Sequence, residues 1–66
     1  MKAFDAVMMI EGEGTYTEAE MLRAWAYLIK TGMAWRLQGF YGRQASDLIE
    51  RGIISKTGKI LKGGGK

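Results

Sequence analysis

The sequence predicts a small, mainly α-helical domain of three helices with a C-terminal β-hairpin, an arrangement like a winged helix-turn-helix. Two observations lead to this prediction. Three segments place apolar side chains three and four residues apart, which is the spacing along one face of a helix. The last segment places β-branched residues on both sides of a glycine-containing turn, which is typical of paired strands.

Residues 2–10 form the first predicted helix. Its apolar stripe consists of Ala3, Phe4, Val7, Met8 and Ile10. Such a stripe is expected to pack on the rest of the domain. Two glycines, Gly12 and Gly14, then end the pattern, because glycine disfavours a helix.

The second predicted helix begins after Thr17 and ends near Thr31. Thr17 and Glu20 have the spacing of a capping box, in which each side chain accepts a hydrogen bond from the other residue's backbone N–H. Gly32 suits the left-handed position that closes a helix. The inward face of this helix consists of Met21, Leu22, Trp25, Leu28 and Ile29.

Residues 33–38 are predicted as one further helical turn that ends at Gly39. A third helix is expected from residue 41 or 42 to residue 51, with Gly39 and Gly42 permitting a tight turn before it. Gly52 is the natural C-terminal cap of this helix. The residues that should face the core are Ala45, Leu48 and Ile49.

Residues 53–55 and 59–61 are the two predicted strands of the hairpin. Gly58 suits the left-handed position of the loop between them. The alternative prediction for this segment is an irregular C-terminal arm. Residues 1–61 are thus expected to form one small helical domain, and residues 62–66 a flexible glycine-rich tail.

Composition limits the chemistry that the chain can perform. The 66 residues include no Cys and no His, so that disulfides, imidazole bases and thiol nucleophiles are excluded. Carboxylates, amides and methionines are the only metal ligands left. We therefore expect a protein that is not an enzyme and that has no cofactor and no metal.

The apolar segments are too short for a membrane helix, which needs about 20 residues. The chain lacks the apolar stretch of a signal peptide, so a cytoplasmic location is expected. A chain of this size buries little surface by itself, and a homodimer is one way to add stability. Met8, Met9 and Met33 would then serve as adaptable apolar contacts.

Residues 35–43 hold three aromatic residues, two arginines and a glutamine. Trp, Tyr and Arg are enriched where proteins contact one another, because they combine a large rigid area with directional polar groups. Trp35 is expected in the core, supporting exposed neighbours. The predicted partner-binding residues are Trp35, Arg36, Gln38, Tyr41 and Arg43.

Nucleic-acid binding is the alternative prediction. Residues 1–33 contain three basic and five acidic side chains, whereas residues 34–66 contain seven basic and two acidic ones. In a winged helix-turn-helix, the third helix would enter the major groove and the hairpin would contact phosphates. Asp47 and Glu50 on the third helix oppose this reading. The nucleic-acid candidates are Arg43, Gln44, Lys56, Lys59 and Lys62.

Residues 31–52 carry a pattern of the form T-G-x-A-W-x-L-Q-G-x-Y-G-R-x-A-x-x-L-I-E-x-G. In this stretch, about a third of the chain, the sequence resembles a family of very small bacteriophage-encoded proteins without an assigned activity. The resemblance implies a phage-type origin. By analogy with small phage proteins in general, it implies a partner in the host cytoplasm, either a host protein or a nucleoprotein complex.

Overall fold

A computed structural model describes residues 2–12 and 16–61 of the chain. Within these residues, helix α1 spans Ala3–Glu11, α2 spans Glu18–Thr31 and α3 spans Gly39–Glu50. A 3₁₀ turn, Met33–Trp35, lies between α2 and α3. The predicted small domain with three helices is therefore confirmed for the described part of the chain. The predicted tail, residues 62–66, lies outside it.

Helix α2 begins and ends where its local signals predict. The Thr17 N–H donates to the Glu20 carboxylate at 2.8 Å, and the Glu20 N–H donates to the Thr17 hydroxyl at 3.1 Å. At the other end, Gly32 adopts a φ of 82° and donates its N–H to the Ile29 carbonyl. Both ends are thus fixed by neighbouring residues, which explains why the sequence predicts this helix well.

The hydrophobic core forms around α2, and the other elements cover it. Among the fully buried side chains, Leu28 of α2 and Ile54 of the C-terminal segment are the largest. Burying large aliphatic side chains contributes about 1.5–3 kcal/mol each. The buried residues are Ala6, Leu22, Ala24, Trp25, Ala26, Leu28, Ile29, Ala34, Tyr41, Ala45, Leu48 and Ile54.

The face that α1 turns to the core differs from the predicted stripe. Ala6 is fully buried, whereas Phe4 is 71% exposed and Met8 is 49% exposed. A small side chain at the contact allows the backbones of α1 and α2 to approach closely. The larger Phe4 and Met8 consequently lie on the solvent side, and the prediction that they belong to the packed stripe is wrong.

Helix α3 starts two residues before the earliest predicted position. Gly39 and Gly42 lie inside the helix, and the turn is made instead by Gly32 together with the 3₁₀ turn. Gly32 has positive φ, whereas neither Gly39 nor Gly42 does. Glycine is a common turn residue, and for this reason the sequence suggested a later start.

The C-terminal β-hairpin is not supported. Within the described residues, the segment after α3 forms no strand, and a single antiparallel bridge joins Ile54 to Ile60. The N–H groups of Ile53 and Ile54 both donate to the Leu48 carbonyl, at 3.0 and 3.3 Å. These donors cap the end of α3, so that they are not available for a longer ladder. Gly58 does adopt the predicted left-handed conformation, with a φ of 89°.

Candidate partner-binding site

Trp35 lies on the surface of the protein with 49% of its area exposed. The 3₁₀ turn causes this placement, because its side chains follow one another at intervals of about one third of a turn. Ala34 is fully buried in the same turn, and the next residue therefore points away from the core. The prediction that Trp35 supports the site from the core is wrong.

The indole of Trp35 and the exposed side of α3 border an open groove of about 580 Å³. Its lining consists of Trp35, Gly39, Gly42, Arg43, Ser46, Asp47 and Glu50. A second depression of about 460 Å³ is lined by Trp35, Ser46, Ile49, Glu50 and Lys56. The two share three residues and are therefore continuous, and we refer to them together as the Trp35 groove.

Two glycines of α3 provide the space for this groove. A Cβ atom placed on Gly42 would lie 3.8 Å from the Trp35 ring, which is an ordinary van der Waals distance. The ring thus rests close to the helix backbone at this position. At Gly39 an added Cβ would lie 3.1 Å from the guanidinium of Arg43. Longer side chains at either position would fill part of the groove.

The groove carries charges of both signs. Arg43 and Lys56 contribute cations, and Asp47 and Glu50 contribute carboxylates. Asp47 forms an ion pair with Arg51, in which Nε and Oδ2 are 3.0 Å apart. Within the described residues Arg43 and Glu50 form no ion pair, so their charges are available to a bound molecule.

The structure brings together only part of the predicted partner-binding set. Trp35 and Arg43 line the groove, while Arg36 and Gln38 are exposed beside it without lining it. Tyr41 is 3% exposed, and its hydroxyl donates to the Glu11 carboxylate. The expectation that Tyr41 reaches water is wrong, because its ring packs in the core against Trp25 at a centroid distance of 5.7 Å.

Several groove residues were not singled out from the sequence as partner-binding residues. Gly39, Arg43, Ser46 and Glu50 are spaced by four, three and four residues, which places them on one face of α3. These four residues include no large apolar side chain. This spacing from Arg43 is the sequence signal that could identify Ser46 and Glu50 as residues of the same surface.

The predicted nucleic-acid residues are only partly brought together. Gln44, Lys56 and Lys59 are exposed. Arg43 and Lys56 line the Trp35 groove, whereas Gln44 and Lys59 do not. Lys62 lies outside the described residues.

The described part of the chain contains no group of three or more acidic, His or Cys side chains placed to hold a metal ion. Its helices also lack the length and apolar character needed to cross a bilayer.

The fold and the site define a small α-helical protein with an exposed tryptophan in a groove of mixed charge. The chain belongs to the family described as a domain of unknown function, DUF7417, whose model matches residues 1–66. No curated protein and no solved structure matches the chain.

Proposed function

We propose that this protein is a non-catalytic, phage-type accessory protein that binds a host protein or nucleoprotein complex through the Trp35 groove and modulates or inhibits it. The observation that carries the proposal is the half-exposed indole of Trp35 beside an unpaired arginine and an unpaired glutamate of the described chain. Its place of action is the host cytoplasm.

The energetics of the groove support a protein partner. A tryptophan buries about 150–250 Å² in contacts, so a partner that covers the exposed half removes roughly 100 Å² of apolar surface. At about 25 cal/mol per Å², this contributes on the order of 2.5 kcal/mol. Arg43 and Glu50 add charge complementarity, which selects the partner and its orientation.

The stretch that resembles the phage family contains most of the groove. Six lining residues coincide with fixed letters of the shared pattern, namely Trp35, Gly39, Gly42, Arg43, Ile49 and Glu50. Ser46 and Asp47 fall on variable letters, and Lys56 lies outside the pattern. The resemblance thus lies on the surface that we assign to binding. This coincidence supports a mode of contact shared with that family.

A non-catalytic role agrees with the chemistry of the groove. The chain has no imidazole and no thiol, and Ser46 is the one hydroxyl among the residues that line the groove. The neighbouring Asp47 carboxylate is held by Arg51 at 3.0 Å, so that it is not arranged to activate the Ser46 hydroxyl. We assign no catalytic residue.

DNA binding in the manner of a winged helix-turn-helix is the less favoured proposal. Asp47 and Glu50 line the same groove of α3 as Arg43, and carboxylates repel phosphates. The segment that would form the wing contributes a single bridge among the described residues. Helix α3 is therefore better suited to a protein partner than to the major groove.

Affinity purification from host lysate with two matched variants tests the proposal. Trp35→Ala and Phe4→Ala each remove one exposed aromatic side chain, but Phe4 lies on α1 and outside the Trp35 groove. Wild type and Phe4→Ala should retain the same protein. Arg43→Glu should lose it with an unchanged melting temperature, and Trp35→Ala should lose it while its helical circular dichroism signal is retained. Retention by Trp35→Ala would refute the site, and no retained protein with wild type would refute the function.

A further inference from the structure

A second groove, of about 340 Å³, lies between α2 and the C-terminal turn. It is lined by Arg23, Ala26, Tyr27, Lys30, Gly58 and Ile60. None of these residues lines the Trp35 groove. We refer to it as the α2 groove, and its chemistry is independent of the function proposed above.

The position of the C-terminal turn on α2 is determined by Gly58. A Cβ atom on this residue would lie 2.6 Å from the Cβ of Lys30 and 2.7 Å from the carbonyl oxygen of Ala26. Only a residue without a side chain can approach the helix so closely. Ile54, which precedes the turn, is fully buried and anchors it. The groove is consequently a preformed feature of the fold.

The charged side chains of the α2 groove are all cationic. Arg23 and Lys30 are exposed and seven residues apart, which corresponds to about 10 Å along the helix axis. No acidic residue lines the groove, and neither cation forms an ion pair within the described chain. Lys59, next to Gly58, is a further exposed cation. This surface therefore favours an anionic ligand with more than one charge.

An aromatic ring lies between the two cations of α2. Tyr27 is four residues after Arg23 and three before Lys30, and its half-buried side chain lines the groove. A cationic groove with an aromatic platform is the arrangement with which proteins bind single-stranded nucleic acid, because the phosphates meet the cations and a base stacks on the ring. Because the Gly58 turn packs directly against this face of α2, the helix is not free to enter the major groove of a duplex.

We infer that the α2 groove binds a single strand of nucleic acid, with Arg23 and Lys30 contacting phosphates and Tyr27 stacking on a base. Lys59 extends the phosphate path beyond Gly58. This site differs from the one suggested by the sequence, since it uses α2 rather than α3. It would give the protein a nucleic-acid contact on a surface separate from the Trp35 groove.

Fluorescence anisotropy with labelled oligothymidine and oligouridine tests this inference across a salt series that starts at about 50 mM. Each lost phosphate contact reduces the slope of log affinity against log salt by about 0.7 for single strands. Arg23→Gln/Lys30→Gln should bind about ten-fold more weakly, with a slope lower by roughly 1.4. The control Lys2→Gln/Arg36→Gln removes one exposed lysine and one exposed arginine elsewhere, neither of which forms an ion pair within the described chain, and it should stay within about two-fold of wild type.

The stacking role of Tyr27 is tested with Tyr27→Leu, whose fold is checked by circular dichroism. This variant should lose about five-fold or more in oligonucleotide affinity and should bind inorganic polyphosphate as wild type does. Duplex DNA of the same length should bind more weakly than either single strand. The inference is overturned if wild type binds no oligonucleotide, if both double variants lose affinity equally, or if duplex or polyphosphate binds as tightly as the single strands.

Discussion

The hydroxyl of Tyr41 in α3 donates a hydrogen bond to the carboxylate of Glu11 at the end of α1. The two residues are 30 positions apart, so this bond joins the first and last helices of the domain. The Tyr41 ring also packs against Phe40 and Trp25, with centroid distances of 5.2 and 5.7 Å. Tyr41 thus acts in the fold and lies beneath the surface that we assign to the partner.

Tyr41→Phe keeps the ring and removes the bond to Glu11. We expect a loss of about 1 kcal/mol in the free energy of unfolding, because Glu11 is exposed and water replaces the hydroxyl. This corresponds to a decrease of roughly 4–8 °C in Tm for a domain of this size. Thermal denaturation measures this decrease in Tm, with Tyr16→Phe at an exposed position as the control. Partner binding lost at unchanged Tm would show that Tyr41 is a contact residue instead.

Gly42→Ala should stabilise the protein by about 1 kcal/mol, because alanine is the better helix former and its Cβ has room beside Trp35. The same substitution at Gly32 should destabilise the protein by a similar amount, since a φ of 82° is strained for any other residue. Urea denaturation of both variants measures these changes. Two changes of the same sign would contradict the backbone geometry.

Gly42→Leu extends the previous test from the backbone to the groove. The longer side chain occupies the space beneath the Trp35 ring, and we expect weaker partner binding while the helical circular dichroism signal is retained. Gly42→Ala serves as the matched control, since its methyl group stays at an ordinary contact distance. Equal partner binding by Gly42→Leu and wild type would argue against the groove as the contact surface.

Gly58→Ala should destabilise the protein more than Gly52→Ala does. Both glycines have positive φ, at 89° and 73°, but an added Cβ at Gly52 meets no atom within 4 Å. At Gly58 it would overlap Lys30 and Ala26, so that the turn must move away from α2. We expect a cost of roughly 2–3 kcal/mol at Gly58 and about 1 kcal/mol at Gly52. Equal costs in urea denaturation would show that the turn does not press on α2.

Gln38→Asp should stabilise α3 by about 1 kcal/mol. Gln38 occupies the N-cap position and makes no side-chain capping bond, whereas aspartate accepts bonds from the first N–H groups of a helix. Thr17→Ala provides the reverse comparison at α2, where a complete capping box is lost and a similar cost is expected. Chemical denaturation of the two variants checks both signs. A Gln38→Asp protein less stable than wild type would contradict the assigned start of α3.

The sequence predicts those elements whose ends are set by neighbouring residues. Helix α2 is the best example, because Thr17, Glu20 and Gly32 each act within four positions in the chain. The start of α3 is missed since Gly39 and Gly42 lie within the helix and not in a turn, where Gly42 leaves room for the Trp35 ring. This role of Gly42 depends on how the 3₁₀ turn packs against α3, which the sequence pattern does not specify.

The candidate sites are only partly predicted, because they too depend on tertiary packing as well as on local signals. The basic and aromatic segment at residues 35–43 indicates a surface. The sequence places Trp35 in the core and Tyr41 at the surface, whereas tertiary contacts place Tyr41 in the core and leave Trp35 exposed. Arg23 and Lys30 look like an ordinary solvated face of a helix. They become part of a groove because Gly58, 28 residues beyond Lys30, packs against α2.

Iodide quenching of two single-tryptophan variants tests the central claim, the exposure of Trp35, most directly. Trp25→Phe leaves Trp35, which is 49% exposed, as the only tryptophan. Trp35→Phe leaves Trp25, which is 6% exposed. Iodide should strongly quench the emission of Trp35 and hardly affect that of Trp25. Equal protection of the two indoles from iodide would contradict an exposed Trp35 and, with it, the groove as a binding surface.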